Sequence, residues 1–133
     1  MLNVSFHIQP DHDVLLPEHF MIQVLCHYVD ENHKVCVMCN DTTQAAYLSK
    51  HVWSFPPNKF IPHNIKDNMI ITEGPFEKKC IVNMTNDCIL NMKIEIIELV
   101  FLDENNKLQA RNRFKTYKKN GFNLKHIKGK KYI

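Results

Sequence analysis

Short apolar runs separated by polar turns predict a chain in which strands alternate with helices. Val4–Ile8 has the alternation of a half-buried first strand. Residues 34–39 and 94–101 are short and rich in β-branched side chains, which is typical of buried strands. Further extended segments are expected at residues 60–62, 79–84 and 87–90.

Three helices are predicted from helical spacing of apolar residues and from their first residues. The first begins at Pro17, where the missing N–H of proline costs nothing. The second and third follow Asp41 and Asp103, whose carboxylates can accept hydrogen bonds from the free N–H groups of a first helical turn. We expect these helices at about residues 17–30, 42–51 and 104–119.

The order of these elements predicts an α/β protein with a single domain, in which helices flank a mixed central sheet. We expect residues 1–121 to form the domain and residues 122–133 to form a basic, partly flexible C-terminal tail. The topology resembles that of nucleotide-binding proteins, but the loop after the first strand (QPDHD, residues 9–13) has no glycine and two acids. A phosphate would be repelled there, so no nucleotide site is expected.

Basic and acidic side chains are distributed unevenly. The chain has 17 Lys and Arg against 14 Asp and Glu, a net charge of +3. Residues 107–131 (KLQARNRFKTYKKNGFNLKHIKGKK) hold ten of the basic residues and no acid, so the rest of the chain is acidic. This asymmetry indicates an anionic partner. A solvated helix face followed by a charged tail, with cations favoured near a helix C-terminus, is the alternative explanation.

The predicted third helix places basic and apolar side chains side by side. At 100° per residue, one stripe is cationic and its neighbour contains Ala110 and Tyr117. Phe114 lies at the seam between the two stripes. The cationic stripe consists of Lys107, Arg111, Lys115 and Lys118.

Catalytic and metal-binding chemistry finds little support. Cys36 and Cys39 have CxxC spacing, but within a strand positions i and i+3 point to opposite faces, so they cannot share a metal. None of the eight histidines lies in an HExxH motif or beside a G-x-S-x-G turn; His63 is the only one worth following. We therefore expect no enzyme, no cofactor and no metal.

The cysteines and the apolar runs of the chain predict its location. Five cysteines cannot all form disulfides, which suits reduced thiols in a cytoplasm, and no apolar run approaches the ~20 residues that span a bilayer. The first residues lack the charged start and apolar stretch of a secretory signal. A cytoplasmic protein without membrane contact is expected.

Aromatic and proline residues are concentrated in residues 52–62 (VWSFPPNKFIP), which contain the only Trp of the chain. Aromatic side chains on a proline-stiffened connection are typical anchors of a protein interface. We expect Trp53 and Phe60 to be exposed and close together. The open alternative is that these aromatics simply cover the core.

Two segments resemble a known family. Residues 45–65 (AAYLSKHVWSFPPNKFIPHNI) resemble a pattern of an alanine-containing helix, Trp, prolines and F-[VI]-P-H-N. Residues 108–124 (LQARNRFKTYKKNGFNL) resemble A-R-x-R-[YF]-K-x-Y-[KR]-x-x-G-[FW]. With VSFH near the start and EGP at 73–75, these blocks are similar to those of the chi subunit of the bacterial DNA polymerase III clamp-loader assembly.

This resemblance implies a non-catalytic replication adaptor with two protein partners. The psi subunit connects such adaptors to the clamp loader, and the resemblance places the psi interface at Trp53, Phe55, Phe60 and Ile61. The other partner is the single-stranded-DNA-binding protein, whose acidic tail, which ends in Phe, is bound by such adaptors. The resemblance places the tail-binding site at Val100, Lys107, Arg111, Phe114, Lys115 and Lys118.

The basic end supports a rival hypothesis. It is more basic than the family leads us to expect, so weak direct contact with DNA is a possible addition, and direct nucleic-acid binding is the alternative function. Affinity for poly(dT) with a steep salt dependence, and none for acidic peptides, would favour this alternative.

Overall fold

The structure is a computed structural model that describes residues 2–55 and 60–128. It has three helices, α1 (Pro17–Asp30), α2 (Thr42–Ser54) and α3 (Glu104–Lys119). The strands are β1 (Asn3–Ile8), β2 (His33–Met38), β3 (His63–Lys66), β4 (Met69–Thr72), β5 (Lys78–Asn83), β6 (Glu95–Val100) and β7 (Asn123–Lys128). None of the helices in the described part of the chain is long and apolar enough to cross a membrane.

All seven strands form one mixed sheet in the order β3-β4-β2-β5-β6-β1-β7. The five strands from β2 to β7 in this order run parallel to one another. At the other end, β4 is antiparallel to β2, and β3 is antiparallel to β4. The predicted fold class, an α/β domain whose mixed sheet is flanked by helices, is confirmed.

The predicted helix starts are also confirmed. Pro17 occupies the first turn of α1. The Asp41 carboxylate accepts a hydrogen bond of 2.7 Å from the Gln44 N–H, and the Asp103 carboxylate accepts one of 3.0 Å from the Asn106 N–H. Each aspartate thereby satisfies one of the donors that a first helical turn leaves free. Helix α3 ends before Gly121, whose positive φ of 83° suits glycine.

A hydrophobic core lies on each face of the sheet. One core packs α1 and α2 against side chains such as Val35, Val37 and Leu99. The other packs Tyr117 of α3 against β1, β5 and β6. Cys39 belongs to the first core and Cys36 borders the second, which confirms that the two thiols lie on opposite sides of the sheet.

The C-terminal segment departs from the prediction. Residues 123–128 are not a tail: they form β7, whose six residues pair in parallel with the whole of β1. The domain boundary expected after residue 121 is therefore wrong for this segment. The apolar Leu124 and Ile127 are three residues apart, so the alternation that marks a strand is missing from the sequence. Residues 129–133 of the expected tail lie outside the described residues.

Two shorter segments also differ from the prediction. Residues 60–62 are not a strand; the strand begins at His63 and forms a hairpin with β4, which the sequence analysis missed. Residues 87–90 are not a strand either, because the Ile89 N–H donates to the Tyr117 hydroxyl rather than to a neighbouring strand. Pro56 and Pro57, in the proline-stiffened connection, lie outside the described residues.

Candidate functional site

Helix α3 carries most of the predicted binding residues, yet it offers few apolar side chains to the sheet. Its buried residues are Ala110, Arg113 and Tyr117. Polar contacts therefore carry much of its attachment, and they converge on Glu98 of β6, which is completely buried. The orientation of α3 follows from these contacts.

The Glu98 carboxylate has a partner for each oxygen. Arg113 Nε donates to Oε1 at 3.0 Å, and the Tyr117 hydroxyl donates to Oε2 at 2.6 Å. The Asn83 amide donates to Oε2 at 2.7 Å. Burial raises the pKa of Glu98, while the Arg113 charge and the three donors oppose that rise. Such networks are favourable only when every buried group is satisfied, which is the case here.

The Glu98 network shows that one basic residue of the segment 107–131 serves the fold. Arg113 is one of the ten basic residues whose excess was taken to indicate an anionic partner. Its charge is instead neutralised inside the protein by Glu98. The remaining cations of α3 lie on its exposed side or at its edge.

A cavity of about 450 Å³ opens between α3 and the sheet. It lies where β1, β6 and β7 end, at Ile8, Val100 and Lys128. The connection from β1 leads to α1 on one face of the sheet, and the connection from β6 leads to α3 on the other. In open α/β sheets, ligands bind in the crevice where neighbouring connections diverge in this way.

The floor of the cavity is aromatic. Phe6 and Phe114 meet edge to face, with ring centroids 5.6 Å apart, and His126 stacks on Phe114 at 4.9 Å. Ala110 also lines the cavity, and its short side chain leaves room above the rings. An apolar or aromatic group of a ligand can be buried against this floor.

The described residues at the rim of the cavity are mostly cationic. Arg111, Lys115 and Lys128 have no salt-bridge partner among the residues that the structure describes. Lys107 lies 3.5 Å from Glu104, but that carboxylate is largely exposed, so the pair contributes little. Asp11, in the loop after β1, is the acid among the described residues that line the cavity. An anionic group above an aromatic floor fits this arrangement.

Most of the predicted tail-binding residues come together here. Val100, Lys107, Arg111, Phe114 and Lys115 all line the cavity. Lys118 does not line it: this residue lies on the exposed surface of α3 farther along the helix. Six further lining residues were not predicted from the sequence, namely Phe6, Ile8, Asp11, Ala110, His126 and Lys128.

These omissions have different origins. Alternation along β1 places Phe6 and Ile8 on one face and could have indicated them, once α3 was known to cover that face. His126 and Lys128 lie in the segment that was expected to be a basic, partly flexible tail. Nothing in the sequence reveals that β7 lies beside β1, since 114 residues separate the two strands (β1 ends at Ile8 and β7 begins at Asn123).

The aromatic segment forms a second surface on α2 and the residues before β3. Trp53 is 47% exposed and Phe60 is 76% exposed, and their ring centroids are 5.4 Å apart. The prediction that they are exposed and close together is confirmed. Trp53 also stacks on His63 at 4.0 Å. The buried His63 ring contacts Ser49 Oγ at 2.7 Å and the Ile61 carbonyl at 2.8 Å, which fixes the platform beneath Trp53.

The other two residues assigned to this surface are less available. Phe55 is half-buried and stacks on His19, with ring centroids 4.1 Å apart. Ile61 is only 4% exposed and belongs to the core beneath α2. Its assignment as a contact residue is thereby corrected: it supports the aromatic surface from within.

Comparison with known proteins identifies relatives of the whole chain. The family described as "DNA polymerase III chi subunit, HolC" matches residues 1–125. The DNA polymerase III subunit chi of Haemophilus influenzae is 26% identical over 133 residues, covering 90% of this chain and 92% of that protein. The subunit of the same name from Escherichia coli is 24% identical over 143 residues, covering 93% and 96%. The chain therefore belongs to the DNA polymerase III chi subunit family, which implies an accessory role in DNA replication.

Proposed function

We propose that the protein is a non-catalytic adaptor of the replication machinery. One surface binds the acidic C-terminal tail of single-stranded-DNA-binding protein, and another binds the psi subunit of the clamp-loader assembly. The observation that carries the proposal is the cavity under α3, where an aromatic floor lies beside a cationic rim. Membership of the family supports the setting in replication.

The cavity chemistry fits a peptide that ends in Phe and carries acids before it. The terminal ring would lie on Phe114 and against Val100, and its carboxylate would meet the guanidinium of Arg111. Arginine suits a carboxylate because it presents two parallel N–H donors. Lys107 and Lys115 would meet the preceding acids.

The expected affinity is modest. Burying a Phe contributes about 1.5–3 kcal/mol, and a charge-assisted hydrogen bond contributes a similar amount. Exposed lysine pairs add less than about 1 kcal/mol each. Immobilising the peptide offsets part of this sum, so dissociation constants in the micromolar range are expected.

A peptide titration tests the proposal. A fluorescent acidic peptide ending in Phe is titrated with the unmodified protein and with Arg111→Ala, which should bind about tenfold more weakly. Lys118→Ala is the matched control because this cation lies on the same helix outside the cavity, and its affinity should be unchanged. Amidating the peptide carboxylate should weaken binding as much as Arg111→Ala does. Unchanged binding in both cases would show that the cavity is not the site.

The same variants separate this function from direct nucleic-acid binding. Poly(dT) is titrated in parallel over a range of salt concentrations. Exposed cations outside the cavity, such as Lys118 and Lys125, would contribute to contacts with DNA phosphates but not to peptide binding, so Lys118→Ala should weaken binding of poly(dT) alone. Strong poly(dT) binding with a steep salt dependence and no peptide binding would favour the nucleic-acid function.

The psi interface is proposed at the Trp53 and Phe60 pair. Both rings are exposed although together they form a contiguous apolar surface, and exposed aromatic clusters are frequent anchors of protein interfaces. The stacked His63, held on both ring nitrogens, keeps Trp53 in place before a partner arrives. Little rearrangement would then be needed on binding.

A further inference from the structure

Strand β7 delivers two side chains to the cavity from the side opposite α3. Leu124, His126 and Lys128 alternate along the strand on the face that α3 covers. Lys125 therefore points to the other face. In the register of the sheet, His126 pairs directly with Phe6 of β1. The imidazole is thus placed by backbone pairing as well as by its ring contacts.

The His126 ring completes the aromatic floor. It stacks on Phe114 with centroids 4.9 Å apart and an interplanar angle of 28°. It also lies 6.1 Å from Phe6. The residue is exposed, and no described residue hydrogen-bonds to either ring nitrogen. Its nitrogens are available to a ligand while one ring face rests on Phe114.

The charged groups around His126 come from three elements. Helix α3 supplies Lys107, Arg111 and Lys115, β7 supplies Lys128, and the loop after β1 supplies Asp11. Strands β1 and β6 contribute only apolar side chains to the cavity, namely Phe6, Ile8 and Val100. Lysine and arginine stay positive and aspartate stays negative at neutral pH, whereas imidazole side chains change charge between pH 5 and 8.

We propose that His126 is a specificity-determining residue of this cavity, where it stacks beside the terminal aromatic ring of an acidic peptide and, when protonated, donates to that peptide's carboxylates. The inference rests on the proposed function, since it names a further recognition residue of the same site. A protonated imidazole adds a cation to the four that the described residues place around the cavity, Lys107, Arg111, Lys115 and Lys128. Acidic peptide is therefore held more tightly as pH falls from 8 to 6.

Two substitutions separate the ring from its charge. His126→Phe keeps an aromatic ring on Phe114 but cannot be protonated, and His126→Ala removes both. The acidic peptide ending in Phe is titrated with each protein at pH 6 and pH 8; its own acids stay ionised over this range. The unmodified protein should bind about threefold more tightly at pH 6. His126→Phe should lose this pH response and keep its affinity at pH 8, whereas His126→Ala should weaken binding at both.

Lys125→Ala is the matched control, since it removes a cation from the other face of the same strand and should keep the full pH response. A pH response that persists in His126→Phe, or that is missing from the unmodified protein, overturns this inference and leaves the proposed function standing. Failure of the unmodified protein to bind the peptide at either pH overturns the proposed function itself, and this inference with it.

Discussion

At the scale of single residues, the buried thiols make the free energy of unfolding depend on pH in the alkaline range. Cys39 and Cys80 lie in the core beneath α1 and α2, both without exposed surface. Burial raises the pKa of Cys39 to about 11 and that of Cys80 to about 12. In an unfolded chain a thiol ionises at about pH 8.5. The folded state therefore retains protons that the unfolded state has lost.

We predict that the free energy of unfolding falls as pH rises from about 8.5 towards 11. A raised pKa gives stability that is complete below the unfolded value and is lost on the way up to the folded one. Cys80→Ala should reduce this pH dependence, measured by urea unfolding at several pH values. Val82→Ala removes a buried group from the same strand and core without a thiol, so its pH dependence should equal that of the unmodified protein. A Cys80→Ala slope equal to the Val82→Ala slope would contradict the prediction.

Trp53 is the main aromatic anchor of the proposed psi interface, which it forms with Phe60. We predict that Trp53→Ala abolishes co-purification with psi, because loss of an anchoring aromatic costs an interface ~2 kcal/mol or more. The melting temperature should fall by only a few degrees, since the side chain is 47% exposed. Tyr47→Ala is a suitable control: it removes another exposed aromatic side chain of α2 and should leave co-purification intact. A large loss of stability in Trp53→Ala would instead assign the ring to the core.

At the scale of elements, α3 is attached to the sheet by the apolar packing of Tyr117 and by the polar contacts of Glu98. We predict that Arg113→Met destabilises the protein by about 3–5 kcal/mol, because it leaves a buried carboxylate without its countercharge. Glu98→Gln combined with Arg113→Met should recover part of that loss, since no unpaired charge remains and the amide oxygen can still accept from Tyr117 and Asn83. Urea unfolding measures both.

Arg111→Met serves as the comparison on the same helix. Its exposed side chain has no partner in the described part of the chain, so the change in stability should stay within about 0.5 kcal/mol. Equal stability of Arg113→Met and Arg111→Met would show that the Glu98 network does not hold α3.

The elements differ in how far the sequence reveals them. The three helices could be predicted because Pro17, Asp41 and Asp103 act locally, on N–H groups within a few residues of themselves. Strand β7 could not, because its place depends on pairing with β1 at the far end of the chain. The same holds for the site. Five lining residues follow from motifs on β6 and α3, while His126 and Lys128 follow only from the strand order.

At the scale of the whole molecule, charge is separated between an acidic body and a basic cavity rim. We predict that affinity for the acidic peptide falls severalfold between 50 and 300 mM NaCl, because salt screens exposed charges over about 10 Å or less. Lys107→Ala and Lys115→Ala should each flatten this dependence, whereas Lys118→Ala should not, since it lies outside the cavity. Peptide binding that is insensitive to salt would show that the apolar floor acts alone.

Because β1 and β7 are neighbours in the sheet, the cavity is formed by the two ends of the described chain. The Asn123 side chain donates to the Asn3 side chain at 2.8 Å across 120 positions of sequence, and β1 and β7 each furnish part of the cavity. Pairing of β7 with β1 has to overcome the entropy of the intervening chain, and long-range pairing of this kind slows folding in general. Before β7 pairs with β1, the cavity lacks the His126 and Lys128 side chains, even where α3 already presents Arg111. The proposed peptide site is therefore complete only once β7 has joined the sheet.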